Sequence, residues 1–308
     1  MSPASTDYDV RFGIDLGGTK IEIIALGPDG AFTHRQRIAT PSGYDATVAG
    51  IAGMVEQAEQ ALGMRGSVGI GIPGVISPVS GMVKNANSIA LNGHHFDQDI
   101  SARLKREVRV GNDANCFALS EASDGAAVGY DVVFGVIVGT GCGGGITVGG
   151  RVIEGPNRVA GEWGHIPLPW PSHEEIPGPH CWCGQFGCLE RFICGPALAM
   201  DCDGPDAHDA SGIPARAAAG EQKAIDALAR HADRMGRGLS VIVNLLDPDI
   251  IVLGGGLSNM EHLYVELPKV MKRHVFSDFV STPVVKNKHG DSSGVRGAAW
   301  MWPPPVKS

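Results

Sequence analysis

Short apolar runs alternate with longer helical periodicities along most of this 308-residue chain. In the first part, apolar runs bounded by turn residues predict strands at Val10–Asp15, Ile21–Leu26, Phe32–Ile38, Ser67–Gly71 and Val108–Gly111. Apolar residues at helical spacing predict a helix over 44–62, and a further helix carries Leu104 on its core side. Strands that alternate with helices in this way are typical of an α/β fold.

The second part of the chain repeats the alternation. An unbroken apolar strand is predicted at Asp131–Val138, and a β-hairpin follows at Ile146–Val148 and Arg151–Ile153. Apolar positions on one face predict a long helix over Glu221–Leu246, which ends before the buried strand Ile250–Leu253. The other predictions are helices over 114–127, 259–273 and 294–302 and an exposed connection over 201–220. The chain is longer than one typical core requires, so we expect two lobes.

A glycine-rich loop, Asp15-Leu-Gly-Gly-Thr-Lys20, joins the first two predicted strands. Because it connects strand to strand, it is not a Walker P-loop, which runs from a strand into a helix. Gly17 and Gly18 let backbone N–H groups approach a phosphate, Thr19 offers a hydroxyl, and Asp15 could hold Mg²⁺ directly or through water. A plain hairpin turn explains the same residues, so this loop alone leaves both interpretations open.

Two further glycine runs raise the question of a nucleotide. Gly139, Gly141 and Gly144 form a G-x-G-x-x-G pattern, but a hairpin follows instead of the helix that a dinucleotide-binding fold requires. Two hairpins with glycine-rich turns, near residues 17 and 141, could instead clamp a triphosphate. Gly254–Gly256 lies between a strand and a helix, where a ligand can approach the backbone, although a tight turn accounts for it equally well.

Asp113 opens the helix that follows the strand ending at Gly111. A carboxylate at this position caps the helix and is stabilised by the helix dipole. A catalytic base needs the same protection of its charge, so the two roles are compatible, and the pattern alone favours the cap.

The stretch 161–190 is rich in residues that bind metals. Its four candidate ligands are His165, Cys181, Cys183 and Cys188. Three thiolates and one imidazole are a common ligand set for structural zinc, and Gly184 and Gly187 would let the backbone fold tightly around the ion. The alternatives are scattered buried cysteines or a disulfide, which the odd total of seven cysteines disfavours. Glu162 and Glu190 flank the ligands, where a fixed loop could present them to a substrate.

Composition excludes several classes of protein. Apolar residues make up 43% of the chain, which suits well-filled cores. Acidic residues outnumber Lys and Arg by 33 to 25, giving a net charge of −8, so a nucleic-acid-binding surface is not expected. No signal peptide is recognisable, and no apolar run approaches the roughly 18 residues of a membrane helix. We therefore expect a cytoplasmic protein with no membrane contact.

Taken together, the motifs resemble the ROK family of sugar kinases, within the actin-like ATPase superfamily. The resemblance covers Gly13–Trp302 and is carried by Asp15-Leu-Gly-Gly-Thr, Gly71-Ile-Pro-Gly, Asn112-Asp113, Gly139-Thr-Gly, Glu162-x-Gly-His165, Cys181-x-Cys-Gly-x-x-Gly-Cys-x-Glu190 and Gly254-Gly-Gly. It implies an α/β, two-lobed actin-like ATPase (ribonuclease H-like) fold with an inserted zinc-binding loop. The implied small lobe comprises residues 1–118 and 294–308, and the implied large lobe comprises 119–293 with the loop 161–190.

The resemblance also assigns roles to individual residues. Asp113 is the expected base, which takes the proton from a sugar hydroxyl as that hydroxyl attacks the γ-phosphorus of ATP. The expected sugar-binding residues are Gly74, Asn87, Asn112, Asp113, Glu162, His165 and Glu190. The residues expected to hold Mg²⁺ and ATP are Asp15, Gly17, Gly18, Thr19, Lys20, Gly139, Thr140, Gly141, Gly254, Gly255 and Gly256. His165 would bind zinc with one ring nitrogen and face the sugar with the other.

The zinc-loop motif departs from the family pattern at one point. Fifteen residues separate His165 from Cys181, a longer gap than many family members show. The gap contains His173 and His180, and either could replace His165 as the fourth zinc ligand. The Gly-His pair of the family motif favours His165.

Within the family, the chain looks most like bacterial fructokinases that also accept mannose. This likeness is carried by Val83–Ser88, Gly139–Gly143, Leu168–Trp170 and Lys288–Trp300. It implies an ATP-dependent fructokinase acting on the 6-hydroxyl, with N-acetylglucosamine kinase or glucokinase as alternatives, because the shape of the pocket near Asn87 and Trp163 is not readable from sequence.

Two other members of the family are less compatible with the sequence. A transcriptional repressor is disfavoured because the first strand already begins at Val10, and a non-catalytic sugar sensor because Asp113 is present. The resemblance also implies a homodimer. The other partners that it implies are a small-molecule sugar and ATP.

Overall fold

The computed structural model describes residues 8–86 and 90–304. Its strands are β1 (Val10–Leu16), β2 (Lys20–Leu26), β3 (Phe32–Ala39), β4 (Gly66–Ile72), β5 (Val75–Ile76), β6 (Val83–Lys84), β7 (Val108–Asn112), β8 (Val132–Val138), β9 (Cys142–Val148), β10 (Arg151–Val152), β11 (Ile250–Gly254) and β12 (Val284–Lys286). Its helices are α1 (Tyr44–Leu62), α2 (Phe96–Leu104), α3 (Asp113–Ser123), α4 (Glu190–Ile193), α5 (Gly195–Asp203), α6 (Ile213–Ala218), α7 (Gln222–Leu246), α8 (His262–His274) and α9 (Ser293–Trp300). None of these helices combines the length and apolar character that crossing a bilayer requires.

Two five-stranded sheets share one plan. The first has the order β3-β2-β1-β4-β7 and the second has the order β10-β9-β8-β11-β12. In each sheet the first three strands are antiparallel, and the remaining strands run parallel to the central one. The glycine-rich turns at residues 17 and 141 connect the two corresponding hairpins, β1–β2 and β8–β9. The prediction of two similar halves, each with a glycine-rich hairpin, is therefore confirmed.

Each sheet has its own apolar core, and together they form a two-lobed α/β molecule. The first core joins the sheet to α1 and α2, with Ile51, Val55 and Phe96 fully buried. The second joins its sheet to α7 and α8, with Met235 and Leu263 among the buried side chains. The helical spacing that predicted α7 follows from this contact, because only one face of the helix is buried.

The last helix, α9, packs onto the first sheet and against α3. Glycines make this close approach possible: a Cβ at Gly13 would lie 2.0 Å from the carbonyl oxygen of Val295, and one at Gly297 would lie 1.6 Å from that of Cys116. Helix α3 also packs against β8 and β9 of the second sheet. The boundary expected between residues 118 and 119 falls inside α3, and the division of the chain at that point stays a prediction.

The structure corrects the predictions for 114–127 and for 201–220. Helix α3 ends at Ser123 instead of 127, because the backbone of Asp124 leaves the helical conformation with φ −145°. The Asp124 carboxylate accepts hydrogen bonds from Arg296 and from Trp300 Nε1. The stretch 201–220 is not simply an exposed connection, since it contains the end of α5 and all of α6. Arg216 fastens α6 by ion pairs to Asp203 and Glu221.

Candidate active site and metal centre

A cavity of about 710 Å³ opens between the two sheets. The predicted site residues that line it come from both lobes: Gly74, Asn112, Asp113, Gly139, Thr140, Gly141, Glu162, His165 and Glu190. A concave site of this size, with several convergent polar groups, is typical of a small-molecule site.

Asp113 lies at the start of α3 and faces the cavity. Its Oδ1 accepts a hydrogen bond of 2.8 Å from the backbone N–H of Ala114. Burial, together with the negative charges of Asp15 and Glu162, raises the pKa of Asp113 to about 6, although the hydrogen bond from the Ala114 N–H acts to lower it. A carboxylate whose pKa lies just below neutrality is suited to accept a proton from a substrate.

The cap of α3 is Asn112, so the assignment of the cap to Asp113 was wrong. Asn112 Oδ1 accepts the N–H groups of Ala114 and Asn115 at 2.9 and 3.2 Å. Asparagine caps helices as well as aspartate does, and here it occupies the residue just before the helix. Its Nδ2 donates to the carbonyl oxygen of Gly74 at 3.2 Å. The Asn112 side chain therefore joins the start of α3 to the segment at Gly74. The contact with sugar that we expect of Asn112 stays a prediction.

Gly74 lines the same wall in a conformation that only glycine adopts easily. Its φ is +84°, and a Cβ at this position would lie 2.4 Å from the carbonyl oxygen of Lys84. Asn87, predicted to bind sugar from the neighbouring segment, lies outside the described residues.

The four predicted metal ligands lie close together in the structure. One ligand atom from each of His165, Cys181, Cys183 and Cys188 lies within 4.8 Å of all the others. The His165 Nδ1–Cys181 Sγ distance is 3.6 Å, and the Cys183 and Cys188 sulfurs are 3.5 Å apart. A tetrahedral zinc with bonds of about 2.0–2.3 Å separates its ligands by roughly this much. The donor set and its spacing therefore fit zinc.

Neither alternative histidine belongs to this cluster. His173 lies in a short 3-10 helix, and the ring of His180 packs edge-on against Phe186 at 5.0 Å. His165 is the histidine that lies beside the three sulfurs, as the family motif predicted.

Backbone hydrogen bonds explain how distant ligands meet. The N–H of Leu168 donates to Gly187 O at 2.8 Å, and the N–H of Leu189 donates to Ile166 O at 2.9 Å, which places the His165 segment beside Cys188. Gly187 has φ +71°, and Gly184 has φ +90°, so both glycines make the tight turns expected of them.

Trp182 and Glu190 connect the metal centre to the glycine turn at 139–141. Glu190 Oε1 accepts a hydrogen bond of 2.9 Å from Trp182 Nε1, and its Oε2 accepts one of 2.9 Å from the backbone N–H of Cys142. The Trp182 ring lies edge-on to His165, with 4.9 Å between centroids. Trp182 lines the cavity and was missed from the sequence, although an aromatic residue between two cysteine ligands was a usable signal. The sugar contact expected of Glu190 stays a prediction.

The long gap before Cys181 is anchored to α7. Glu175 accepts hydrogen bonds from Arg234 Nε at 2.8 Å and from Arg237 Nη2 at 2.9 Å, and all three side chains are nearly buried. Arg237 also donates to the carbonyl oxygens of Pro169 and Trp170. The extra residues therefore hold the metal loop against the second lobe.

We expect Glu175→Gln to lower the free energy of unfolding by about 2–3 kcal/mol at pH 7, because it removes the carboxylate that two nearly buried guanidinium groups share and leaves them only Asp201 and Asp233. Burial favours the neutral acid, but hydrogen bonds from Arg237 and Arg234 lower the pKa of Glu175 to about 2. Because the pKa of Glu175 is lower in the folded than in the unfolded protein, the ionised carboxylate stabilises the fold at pH values above the unfolded pKa. This stabilisation is lost as the pH falls towards 2.

Urea denaturation of the parent and of Glu175→Gln at several pH values measures this contribution. The difference between the two proteins should be full at pH 7 and shrink below pH 4.5, the ordinary pKa of a glutamate. Glu174→Gln, on the neighbouring exposed side chain, is the control. A difference that stays constant down to pH 3 would contradict the assignment.

Of the three predicted nucleotide-binding loops, the one at 139–141 lines the cavity, whereas those at 15–20 and 254–256 do not. In the β1–β2 turn, the N–H of Gly17 donates to Lys20 O at 3.0 Å, and Thr40 Oγ1 donates to Gly17 O at 2.7 Å. Asp15 is close enough to Asp113 for its charge to raise the pKa of that carboxyl. The ATP and Mg²⁺ contacts expected of Asp15, Gly17, Gly18, Thr19 and Lys20 stay predictions.

The Gly254–Gly256 turn adjoins the turn at 139–141. Gly255 has φ +77°, and a Cβ there would lie 2.4 Å from Val138 O. Gly139 O accepts a hydrogen bond of 2.7 Å from the N–H of Gly195. Trp163, suspected of shaping the sugar pocket, is instead buried, with its Nε1 donating to Gly143 O.

Comparison with known proteins shows where this arrangement belongs. The ROK family profile matches residues 11–304. The chain is 42% identical over 301 residues to a protein named N-acetyl-D-glucosamine kinase from Photobacterium profundum, covering 94% of this chain and 98% of that protein. The ROK hexokinase structure from Thermus thermophilus has a TM-score of 0.84 at 31% identity, covering 95% of this chain and 97% of that one. The ROK glucokinase structure from Streptomyces griseus, solved with glucose and AMPPNP, has a TM-score of 0.76 at 29% identity, covering 95% and 98%.

The two-lobed structure agrees with these neighbours, and the family match extends over both lobes and the metal loop. On this ground the chain belongs to the ROK family.

Proposed function

We propose that this ROK-family sugar kinase transfers the γ-phosphoryl group of Mg-ATP to the 6-hydroxyl of N-acetyl-D-glucosamine. The observation that carries the choice of acceptor is the 42% identity, over nearly the full length of both chains, to a protein named N-acetyl-D-glucosamine kinase. Identity to the hexokinase and the glucokinase is 31% and 29%. The fructose preference predicted from short motifs is not confirmed, and this likeness favours the alternative.

Asp113 is proposed as the residue that takes the proton from the 6-hydroxyl. Phosphoryl transfer depends mainly on positioning and on stabilisation of charge, so one correctly placed carboxylate is sufficient as base. As the proton moves to Asp113, the sugar oxygen bonds to the γ-phosphorus and ADP leaves. The helix that begins at Asp113 is fixed by the Asn112 cap, which holds the carboxylate at the cavity wall.

The other proposed roles follow from where the residues lie. Glu162, His165 and Glu190 line the cavity on the side of the second lobe and are proposed to orient the sugar hydroxyls. The loops at 15–20 and 139–141 are proposed to hold Mg²⁺ and the phosphates, and Gly254–Gly256 is proposed to border the adenosine. Zinc, when bound by His165 and the three cysteines, would fix the loop that carries Trp182 and Glu190. A homodimer stays a prediction.

The pH dependence of turnover tests the role of the base. Because Asp113 must be ionised to accept the proton and its pKa is about 6, kcat/KM for the acceptor should fall by about tenfold per pH unit below that value. Rates measured between pH 5 and 8 check this, with circular dichroism at each pH as the control for folding. A flat profile down to pH 5 would contradict Asp113 as a base with a raised pKa.

A comparison of acceptors tests the choice of sugar. Initial rates with N-acetylglucosamine, glucose, mannose and fructose, each with saturating Mg-ATP, should give the highest kcat/KM for N-acetylglucosamine. A higher value for fructose would restore the acceptor predicted from the motifs. It would leave the fold, the base and the metal centre unchanged.

A further inference from the structure

A second cavity, of about 470 Å³, lies along α3 beyond the candidate active site. It is enclosed by α3, by α9 and by the turn between β9 and β10, so both lobes contribute to its wall. Its volume lies within the range of about 300–1,000 Å³ that is usual for small-molecule sites. The family resemblance gives no role to any of the residues that line this cavity.

The charges of this cavity are predominantly positive. Arg109, Arg151 and Arg158 line it together with a single carboxylate, that of Glu154. Glu154 is ion-paired with Arg158, and Arg109 is paired at 3.5 Å with the exposed Glu107 outside the cavity, so Arg151 is the arginine of the cavity wall that has no carboxylate partner among the described residues. The cavity therefore suits an anion.

The two remaining arginines differ in how they are held. Arg109 donates to the carbonyl oxygen of Met301 and stacks on the Trp302 ring at 3.9 Å, so its position is fixed by α9 and the residues after it. The Arg151 backbone pairs with β9, but its side chain makes no hydrogen bond or ion pair to residues 8–86 and 90–304. A guanidinium with free donors binds phosphate through paired hydrogen bonds, which makes a phosphate group the preferred anion.

The cavity also contains a buried polar group that lacks a partner. Asn115 lines it and is only 8% exposed, and its side-chain oxygen makes no hydrogen bond within the described part of the chain. A buried amide oxygen without a donor costs stability, so a ligand that supplies a hydroxyl group there gains affinity. Inorganic phosphate is much smaller than this volume, so a larger ligand is needed to fill the cavity.

We propose that the second cavity binds a phosphorylated hexose, with its phosphate on Arg109 and Arg151 and a sugar hydroxyl donating to Asn115. The product of the proposed reaction belongs to this chemical class, and in that respect the inference rests on the proposed function. The cavity adjoins the active site through Arg158, which lines both.

Calorimetric titration with N-acetylglucosamine 6-phosphate tests the inference. The protein is first saturated with N-acetylglucosamine and AMPPNP, so that the candidate active site is occupied. We expect one further equivalent of the sugar phosphate to bind, and Arg151→Gln to weaken that binding by about tenfold or more through loss of a charge-assisted contact. Arg103→Gln, on an exposed arginine of α2, is the matched control and should bind as the parent does.

Two outcomes would overturn the inference: no additional equivalent, or binding that Arg151→Gln leaves unchanged. Equal affinity for inorganic phosphate alone would overturn the sugar contact with Asn115. The kinase assay separates this result from the proposed function. Absence of turnover with N-acetylglucosamine, together with Arg151-dependent binding of the sugar phosphate, would overturn the proposed acceptor and leave the second site standing.

Discussion

Asp113→Asn is expected to lower kcat by about 10²–10⁴-fold, the usual contribution of a general base, while the protein still binds sugar. Asparagine has nearly the same shape and can still accept the hydrogen bond from the Ala114 N–H, so the start of α3 should be preserved. What it cannot do is take a proton at neutral pH. Steady-state rates and calorimetric titration with the acceptor sugar measure the two effects separately.

The matched control is Asp45→Asn, which changes an exposed aspartate in the first turn of α1. It should leave both rate and sugar affinity as they are in the parent. If Asp113→Asn turned over at the parental rate, Asp113 would have no part in the mechanism, and the base would have to be another group of the cavity.

Cys183→Ser is expected to remove zinc and to lower the stability of the protein. Structural zinc contributes folding free energy, because the ligands converge only in the folded state. A serine hydroxyl is a poor replacement for a thiolate, and loss of several kcal/mol would lower Tm by on the order of 10 °C. Elemental analysis and thermal denaturation measure the two consequences.

Loss of the metal should also reduce turnover, since the metal loop carries both Trp182 and Glu190, and Glu190 binds the N–H of Cys142 beside the glycine turn. Cys202→Ser is the matched control, as Cys202 is a largely buried cysteine outside the cluster. One zinc per chain retained in Cys183→Ser would contradict the ligand assignment.

Features set by neighbouring residues were predicted well. The hairpins at residues 17 and 141 follow from apolar runs on either side of glycines, and the pattern for each strand includes its own turn signal. The three cysteines were identifiable because their spacing is local. Even His165, further away, was found through a short motif, and the structure places it beside the sulfurs.

Features that depend on side-chain contacts formed only in the folded chain were missed. Asn112 rather than Asp113 caps α3, because the two residues are equally good caps and only the start of the helix decides between them. Helix α6, within 201–220, is held by ion pairs of Arg216 that the sequence pattern does not reveal. The second cavity joins Arg109, Asn115 and Arg151, whose proximity results from packing of the two lobes around α3.

Identification of the product is the decisive test of the proposed phosphoryl transfer. The protein, incubated with Mg-ATP and N-acetylglucosamine, is followed by phosphorus NMR and mass spectrometry. We expect one ADP for each sugar phosphate formed, with the phosphate on the 6-oxygen. Absence of a phosphorylated sugar, with ATP either intact or hydrolysed to inorganic phosphate, would contradict it.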